Sequence, residues 1–413
     1  MNKNPLSQAQ LTSTMVSSID PQLQQLLNQS IRDQLTPKAD IRTDKIALSL
    51  SALTQGLFDH LPHDELVSLF TDSFTELHAL YQESELTEAE IETSYINATG
   101  LVMAVKDCIN TVKDIYRVKA FVNGLHQAIE FANGKNNQDT LHIVYPACGP
   151  FAPLLLPLIA HYHTTNNNEH NTRQNRLKIT LIDIQPGAIK VLQNLVSKMG
   201  IEEYIQDILC MDIMDYQPDH AIDILVMEAF QHGLSREGHL HFAHHLAKYL
   251  AEDAILLPEK LTVTAFLNSG QDEYCDQWEG QERAHSDFLS DASLSNRVIL
   301  GEVFSLDIST LKKMKAIPFG ENFNLLEGQQ VQIPHSEGLD KKALMLSATA
   351  TIFNKENINE YDSGISHPKI DTSICINFKP KTPEPDDLLV NSGDRLKFYY
   401  KLTGAPGFIA TLA

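Results

Sequence analysis

Short apolar runs alternate with helix-like segments through the middle of this chain of 413 residues, and this alternation limits the possible folds more than any other feature. The predicted strands are Leu141–Tyr145, Leu177–Ile184, Tyr204–Met211 and Ile222–Met227, and the predicted helices are Phe151–Tyr162 and Pro186–Met199. Apolar runs of this length are typical of strands buried on both faces. Strands that alternate with helices at this spacing predict a parallel, doubly wound α/β sheet.

The region before this sheet has a helical pattern. Leucine and phenylalanine recur at three- and four-residue spacing in Asp64–Tyr81, which predicts an amphipathic helix. Thr87 and Glu90 have the spacing of a capping box at the start of a further helix. A long helix is then predicted from about Gly100 to Phe131.

Beyond Ile255 short alternating segments replace the helices. They are Leu261–Leu267, Arg297–Ser305, Ala343–Phe353, Thr372–Phe378 and Arg395–Leu402. Turn-rich pieces separate them, so we expect an antiparallel β domain, built as a barrel or a sandwich. The chain therefore divides into an N-terminal helical domain (1–94), an α/β domain (95–258) and a C-terminal β domain (259–413).

The balance of charge argues against nucleic acid as a partner. Lys and Arg total 32 and Asp and Glu total 53, so the formal net charge is −21. An acidic surface repels a phosphate backbone, whereas it favours solubility and suits a cationic substrate.

Several features favour a cytoplasmic protein without a membrane segment. The five cysteines are odd in number, widely spaced and form no C-x-x-C pair, so neither a disulfide framework nor a cysteine zinc site is indicated. The polar start has no apolar region of the kind that signal peptides contain. The longest apolar segment, Phe151–Ala160, is interrupted by prolines and is shorter than the roughly 18 residues that a span requires.

Two acids follow the last predicted strand of the sheet. Glu228 comes directly after Ile222–Met227, and Glu237 follows nine positions later (237 − 228). An acid at the carboxyl end of a parallel strand lies where ligands bind in open α/β sheets. Two carboxylates at such an edge suit a planar cation such as guanidinium, which pairs with them bidentately.

The middle of the chain resembles class I S-adenosylmethionine-dependent methyltransferases, whose sheet is Rossmann-like. Ile143–Phe151, with the letters IVYPACGPF, stands where these enzymes have a glycine-rich turn after their first strand. Asp183 ends the second strand and Asp212 follows the third. The resemblance implies that S-adenosylmethionine is the cofactor, with Asp183 on its ribose hydroxyls and Asp212 on its adenine amino group.

The turn keeps only part of the family pattern. Ala147 and Phe151 replace its first and last glycines, Gly149 remains, and Tyr145 stands where the family often has an acid. By the resemblance, Tyr145, Ala147, Cys148 and Gly149 would lie along the cofactor. The other interpretation is a structural turn that binds no ligand.

The segment that follows is similar to the double-glutamate loop of protein arginine methyltransferases. The likeness extends over Asp223–Leu240 and includes the nine-residue separation of the two acids. Leu256–Leu261 resembles that family's proline-containing step into its β-barrel, and Leu388–Leu402 resembles the barrel's closing hairpin. The similarity covers the chain from about Tyr95 onward, and residues 1–90 have no counterpart in it.

The family likeness implies an enzyme with a defined site. Glu228 and Glu237 would bind the guanidino or amino group of a protein or small-molecule acceptor. His367, in Ser366-His367-Pro368, is similar to a histidine of the family's Thr-His-Trp loop and would remove a proton or orient a glutamate. Asn110 stands where the family has an arginine for the cofactor carboxylate, so Arg117 is the candidate substitute.

Two further features bear on partners and metals. Gln271–Asn296 is shorter than the family's dimerisation arm, which leaves a homodimer as an open alternative to a single chain. His239, His241, His244 and His245 include an i, i+4 pair that can hold a metal, but no H-E-x-x-H motif occurs. We therefore predict no metal.

Two other functions stay open from the sequence. Cys148–Pro153 resembles the G-P-x-P turn of nicotianamine-synthase-like enzymes, which transfer the aminocarboxypropyl group of the same cofactor. The third alternative is a non-catalytic scaffold or binding protein with the methyltransferase fold, which the incomplete glycine turn favours and the retained acids oppose.

Overall fold

Helices form the first part of the protein in its structure, which is a computed structural model. The structure describes residues 41–135, 140–166, 176–276, 291–320 and 323–413. The helices are α1 (Ile41–Phe58), α2 (His63–Glu83), α3 (Glu88–Glu92), α4 (Val105–Cys108) and α5 (Ile115–Lys135), with a two-stranded antiparallel pair, β1 (Tyr95–Ile96) and β2 (Leu101–Val102), before α4. The rest of the predicted helical domain, residues 1–40, lies outside the described residues.

The predicted amphipathic helix and capping box are both confirmed. Helix α2 buries Leu66, Phe70, Leu77 and Leu80 along one face, as their spacing predicts. At the start of α3 the Thr87 side chain accepts from the Glu90 amide, and the Glu90 carboxylate accepts from the Thr87 amide at 2.7 Å. The hydroxyl and carboxylate thus satisfy backbone groups that the helix itself leaves unpaired.

The predicted long helix from Gly100 to Phe131 is wrong in its first half. Gly100 has a φ of +146°, which only glycine adopts readily, and the Leu101 amide donates to the Arg236 carbonyl at 2.7 Å. These contacts draw the chain into β2, and a 3₁₀ turn, Ile109–Lys113, precedes α5. The helix therefore begins only at Ile115.

A five-stranded parallel sheet follows and confirms the predicted α/β class. Its strands are β3 (Leu141–Pro146), β4 (Leu177–Asp183), β5 (Ile205–Cys210), β6 (Ile222–Val226) and β7 (Leu250–Leu257), and the helices of this region are α6 (Leu156–Asn166), α7 (Pro186–Met199) and α8 (His239–Leu246). The strand order is β5-β4-β3-β6-β7, and every pairing is parallel. The chain runs outward from β3 to β5 and then crosses to β6, so the strand order reverses between β3 and β6. Ligands bind at such reversals, beside the carboxyl ends of the strands.

The sheet is buried on both faces, as the continuous apolar runs predict. Ile143, Ile179, Leu181 and Ile224 have no exposed surface. The same apolar core continues into Leu50, Leu53 and Leu57 of α1 and Leu66 of α2. None of the helices in the described ranges has a stretch long and apolar enough to cross a membrane.

Antiparallel sheets make up the last part of the chain, as predicted. The elements are β8 (Lys260–Asn268), α9 (Gly270–Tyr274), α10 (Asp291–Asn296), β9 (Val298–Asp307), α11 (Ile308–Lys313), β10 (Ile317–Phe319), β11 (Phe323–Gln332), β12 (Ala343–Phe353), β13 (Glu356–Ile358), β14 (Lys369–Asp371), β15 (Ile374–Ile376), β16 (Leu388–Val390), β17 (Arg395–Lys401) and β18 (Gly407–Leu412). One sheet has the order β13-β12-β8-β9, with β14 also paired to β12, and the other has the order β10-β11-β17-β18. Strands β15 and β16 form a separate parallel pair. A closed barrel is not confirmed, because no sheet of the described residues closes on itself.

A buried ion-pair network holds the first of these sheets to the segments around it. The Arg297 guanidinium donates to both carboxylate oxygens of Glu273, at 3.0 and 2.6 Å, and to Glu360 at 2.5 Å. It also lies over the Phe266 ring, 4.2 Å from the centroid. The Tyr361 hydroxyl donates to Glu273 at 2.6 Å. These bonds hold the pKa of the fully buried Glu273 carboxyl below its usual value despite its burial.

Replacing Arg297 with Met should lower the free energy of unfolding by about 3–5 kcal/mol, because Glu273 would then be buried as an unpaired charge. Urea unfolding followed by circular dichroism measures the change. Arg395→Met, at an exposed position of β17, is the matched control and should change stability by less than about 0.5 kcal/mol. Equal effects of the two substitutions would contradict the structural role of the network.

Candidate functional site

A cleft opens at the carboxyl ends of β3, β4 and β5, where the reversal of strand order predicts a ligand site. Its empty volume is about 650 Å³, part of it open to solvent. Five segments line it, namely the segment from β1 to α4 and those after β3, β4, β5 and β6, and their residues include Gly149, Asp183, Asp212 and Glu237. Three successive strand ends and the loop after β6 therefore meet in one place.

The turn after β3 presents bare backbone to this cleft. Ala147 and Gly149 have φ values of +50° and +65°, so the chain passes through left-handed conformations within three residues. A Cβ built on Gly149 would contact only the Cys108 Cβ, at 3.9 Å, so the space beside this glycine is open. Ala147 and Gly149 line the cleft, whereas Cys148 is buried behind the turn.

Tyr145 is buried below the turn, away from the cleft surface. Only 2% of its surface is exposed, and it is absent from the described residues that line the cleft. Burial and the neighbouring Glu228 carboxyl raise the pKa of its phenol well above the usual value. Its position supports the turn from beneath, and direct contact between Tyr145 and a cofactor stays a prediction.

Asp183 connects the end of β4 to this turn. One carboxylate oxygen accepts from the Gly149 amide at 2.9 Å, and the other accepts from the Gln185 amide at 2.9 Å. Burial raises the pKa of this carboxyl, and the backbone donors oppose that rise. Because each carboxylate oxygen has two lone pairs, Asp183 can still accept from hydroxyl groups of a ligand in the cleft.

Gln185 is a residue of the cleft that sequence reasoning missed. Its side-chain amide donates to the carbonyls of Thr93 and Met103, each at 2.8 Å. It therefore holds the segment before α4 against the start of α7, and both Met103 and Gln185 line the cleft. The sequence gives no signal for this role, because a neutral residue between a predicted strand and the proline that begins a helix does not indicate a binding site.

Asp212 lies across the cleft, after β5. Its carboxylate accepts from the Met214 amide at 2.9 Å and so caps the 3₁₀ turn Ile213–Asp215. The structure therefore places Gly149, Asp183 and Asp212 around one cavity, in the arrangement that the order of the motifs predicts. The ligand contacts assigned to these three residues stay predictions.

Glu228 lies two residues after β6 and forms an ion pair with Arg117 of α5. The Arg117 Nη1 atom lies 3.1 Å from a Glu228 carboxylate oxygen, and its Nη2 atom donates to the Thr111 carbonyl at 2.9 Å. Asp114 lies 3.5 Å from the Nε atom. Arg117 and Glu228 are not among the described residues that line the cleft. The predicted contact of Arg117 with a cofactor carboxylate stays a prediction, and the structure adds its pairing with Glu228.

Glu237 reaches the cleft because the loop before it folds back on itself. Gln231 and Ser235 exchange backbone hydrogen bonds at 3.0 and 3.2 Å. Gly233, Leu234 and Arg236 all have positive φ, which makes the reversal tight. The loop thus returns the chain toward the end of β6, where the charge of Glu237 raises the pKa of Glu228 although the two acids are nine positions apart.

Burial controls the ionisation of the two acids. It raises the pKa of Glu228 to about 8 and that of Glu237 to about 7, although Arg117 lowers both. The Glu237 charge also contributes to the rise at Glu228. A cation bound between them would favour their ionised forms.

His367 lies in a turn that is anchored beside this pair. The Ser363 hydroxyl donates to Asp114 at 2.6 Å, and the Ser366 hydroxyl donates to the Ser363 carbonyl at 2.9 Å. The half-buried His367 ring packs against Tyr361, with 5.1 Å between centroids. The turn is therefore linked to Arg117 through Asp114, and a direct role for His367 stays a prediction.

Asp114 is the second residue that sequence reasoning missed. It is three positions before Arg117, the spacing at which helix neighbours pair, and that spacing was the available signal. Asn110, by contrast, accepts from Lys113 at 3.1 Å in an exposed turn and is not among the described residues lining the cleft. Arg117 therefore pairs with Asp114, three positions before it, and Asn110 takes no part in this ion pair.

The histidine-rich helix α8 has structural contacts. His239 is buried against Phe230, with 5.0 Å between ring centroids, and burial lowers its pKa to about 3. His245 contacts the Tyr216 carbonyl at 2.9 Å. Within the described ranges no group of three histidine, cysteine or acidic side chains could hold a metal ion.

Comparisons with known proteins identify similar folds but no close relative. No protein-family model matches the sequence, and no curated protein matches it significantly. One similar structure is the PRMT1 enzyme–prozyme heterotetrameric complex of Trypanosoma brucei with AdoHcy, at 14% identity and a TM-score of 0.38, with 71% of this chain and 86% of that chain covered. Another is protein arginine methyltransferase 10 of Arabidopsis thaliana, at 11% identity and a TM-score of 0.37, with 69% of this chain and 84% of that chain covered.

Both matches are to structures named as arginine methyltransferases, the family that the sequence motifs resemble. At TM-scores below 0.5 neither similarity supports an argument about this chain. The segment predicted as a shortened dimerisation arm lies partly outside the described residues, at 277–290. A functional assignment for this protein therefore depends on the side chains of its own cleft.

Substituting Glu237 with Gln should stabilise the protein increasingly as the pH rises. The pKa of Glu237 is about 7 in the native protein, above the usual 4.5 of the unfolded chain. Between pH 4.5 and pH 7 the unfolded chain is therefore ionised while the native state keeps the proton, so the free energy of unfolding falls as the pH rises. We expect the gain from Glu237→Gln to be about 1 kcal/mol larger at pH 8.5 than at pH 6. Thermal unfolding at both pH values, with Glu252→Gln on the exposed part of β7 as control, tests this. A gain that shrinks with pH would contradict the raised pKa.

Proposed function

We propose that this protein transfers the methyl group of S-adenosylmethionine to a nitrogen atom of a guanidino or amino group. The observation that carries the proposal is the convergence of Gly149, Asp183, Asp212 and Glu237 on one cleft at the reversal of strand order. Two acids at strand ends, a third in the loop after β6 and a bare turn suit a ligand that has hydroxyl and amino donors and one compact charged end.

The residues of the cleft fit this cofactor. Asp183 retains acceptor capacity for ribose hydroxyls after it has bound two backbone amides, and Asp212 would accept from the adenine amino group. Gly149 leaves the space beside the turn open for the amino-acid end. When bound, the cofactor supplies a methyl group activated by the sulfonium.

The acid pair supplies the acceptor site in this proposal. Glu237 lines the cleft, and Arg117 and Asp114 hold Glu228 and its surroundings in position behind it. The two carboxylates would bind the acceptor cation and orient one nitrogen toward the methyl group. That nitrogen loses a proton when it gains the methyl group, and a carboxyl with a pKa near 7 can accept it. We assign His367 as an alternative proton acceptor.

The by-product distinguishes this reaction from the alternative group transfer. Methyl transfer releases S-adenosylhomocysteine, whereas transfer of the aminocarboxypropyl group releases methylthioadenosine. Chromatography of the spent cofactor separates the two. If the chain binds no S-adenosylhomocysteine at millimolar concentration in calorimetric titration, the non-catalytic alternative is favoured instead.

Asp183→Ala should weaken binding of S-adenosylhomocysteine at least about tenfold, because it removes charged hydrogen bonds and loosens the turn at Gly149. Calorimetric titration of the full chain measures the dissociation constant. The matched control is Asp207→Ala, which removes an exposed carboxylate from β5 outside this cleft. If both variants bind equally well, Asp183 does not contact the cofactor.

Glu228→Gln should preserve binding of S-adenosylhomocysteine and reduce methyl transfer at least about a hundredfold, because a neutral amide binds the acceptor cation weakly. Transfer of label from the methyl-labelled cofactor to a panel of guanidines and amines provides the measurement. Glu252→Gln should retain full activity. Unchanged turnover in Glu228→Gln would show that Glu228 does not hold the acceptor.

A further inference from the structure

Basic side chains gather on the outer side of the loop that carries Glu237. We call His232, Arg236 and Lys369 the basic rim. Lys369 packs its stem on the loop, since a Cβ built on Gly233 would lie 3.4 Å from the Lys369 Cβ and 3.5 Å from its Cδ. Burial and the charges of Lys369 and Arg236 lower the pKa of His232, so all three groups lie within electrostatic reach of one another. This local positive charge contrasts with the formal charge of −21 of the whole chain.

The two charges of the basic rim are exposed and unpaired. Neither Arg236 nor Lys369 forms an ion pair with an acid among the described residues, and both side chains are exposed. Asp371, in the same groove as Lys369, accepts instead from the Ser373 amide at 3.1 Å and hydroxyl at 2.6 Å. Asp386 is the other acid of the groove. The rim can therefore bind an external anion.

Gln231 places this positive charge next to the acceptor site without neutralising it. Its carbonyl oxygen accepts from the Arg236 Nη1 atom at 3.0 Å. The Gln231 side chain also lowers the pKa of Glu237, against the effect of burial. Arg236 directly precedes Glu237 in the chain, and its charge lowers the pKa of the Glu237 carboxyl. Two backbone hydrogen bonds hold Arg236 in place. Its carbonyl accepts from the Leu101 amide at 2.7 Å, and its amide donates to the Pro406 carbonyl at 2.8 Å.

A positive rim beside a cation site selects among acceptors. An acceptor with positive charge alone is attracted by Glu237 but repelled by Arg236 and Lys369. An acceptor that also has an anionic group is attracted at both points, and the attraction is directional because the charges are separated in space. A groove of about 1080 Å³, partly open to solvent and lined by Gly233, Lys369 and Phe408, offers room for the rest of such a molecule.

We propose that the acceptor is a guanidine or amine with a carboxylate on the same molecule, and that Arg236 and Lys369 bind this carboxylate while Glu237 binds the nitrogen. The inference depends on the proposed methyl transfer, since it names the substrate class of the same site. A free amino acid and an acidic peptide share this chemistry.

Two matched ligand pairs test the inference on the full chain loaded with S-adenosylhomocysteine. L-Arginine and agmatine have the same guanidino chain, with and without the carboxylate. The N-acetylated, C-amidated peptides Gly-Asp-Arg-Asp-Gly and Gly-Lys-Arg-Lys-Gly differ in the charge beside the arginine, and only the first contains carboxylates. We expect the carboxylate-bearing member of at least one pair to bind at least about fivefold more tightly in calorimetric titration. The pair that shows the preference identifies the source as a free amino acid or a peptide.

Variants connect that preference to the basic rim. The double variant Arg236→Gln/Lys369→Gln should abolish it and leave the affinity for S-adenosylhomocysteine unchanged. Arg395→Gln/Lys355→Gln removes the same charges from exposed positions elsewhere, at the start of β17 and in the turn after β12, and should retain the preference.

Three results would overturn the inference. They are equal or tighter binding of agmatine and the lysine peptide, binding of none of the four ligands at millimolar concentration, and a preference that survives in the double variant. In each case methyl transfer to another acceptor would stand if S-adenosylhomocysteine still bound. Failure to bind S-adenosylhomocysteine at all would remove the proposed function, and this inference with it.

Discussion

The ion pair between Arg117 and Glu228 is the interaction on which the rest of the site depends. It joins α5 to the end of β6, and Asp114 extends it to Ser363 in the turn that carries His367. Arg117 is surrounded by three carboxylates, those of Asp114, Glu228 and Glu237, each of which favours its charged form. One guanidinium cannot balance three acids in a buried place. Either protons or a second cation must complete the balance, and the proposed acceptor would supply such a cation.

Residues at strand ends could be predicted from the sequence, because in a parallel sheet position along the chain determines position in space. Gly149, Asp183 and Asp212 each follow an apolar run, and the carboxyl ends of the runs meet at one edge. The strand β7, Leu250–Leu257, was not predicted, because its exposed acids Glu252 and Asp253 interrupt the apolar run.

Residues brought to the site by packing between distant segments could not be predicted in the same way. The predicted contact of Arg117 with a cofactor stays a prediction, whereas its pairing with Glu228 could not be predicted, because Glu228 lies outside α5 and no spacing within that helix indicates it. The uncharged amide of Gln185 donates to two backbone carbonyls, and that of Gln231 accepts from Arg236. The break before Ile115 likewise depends on a bond between Leu101 and Arg236, which are remote in sequence. A closed barrel depends on how the edges of two sheets pair with each other, and the residue patterns of single strands do not determine that pairing.

The bond between the Arg236 amide and the Pro406 carbonyl has a consequence for biosynthesis. The two residues are 170 positions apart (406 − 236), so a nascent chain emerging from the ribosome makes the loop long before its support exists. The central sheet can form during translation, because its strands are complete by Leu257. The loop that carries Glu237, by contrast, is not fully supported until the turn between β17 and β18 has been made, because the Arg236 amide donates to the Pro406 carbonyl in that turn. The central sheet can therefore form first, and the loop that contains Arg236 and Glu237 acquires its last backbone support only when Pro406 has been made.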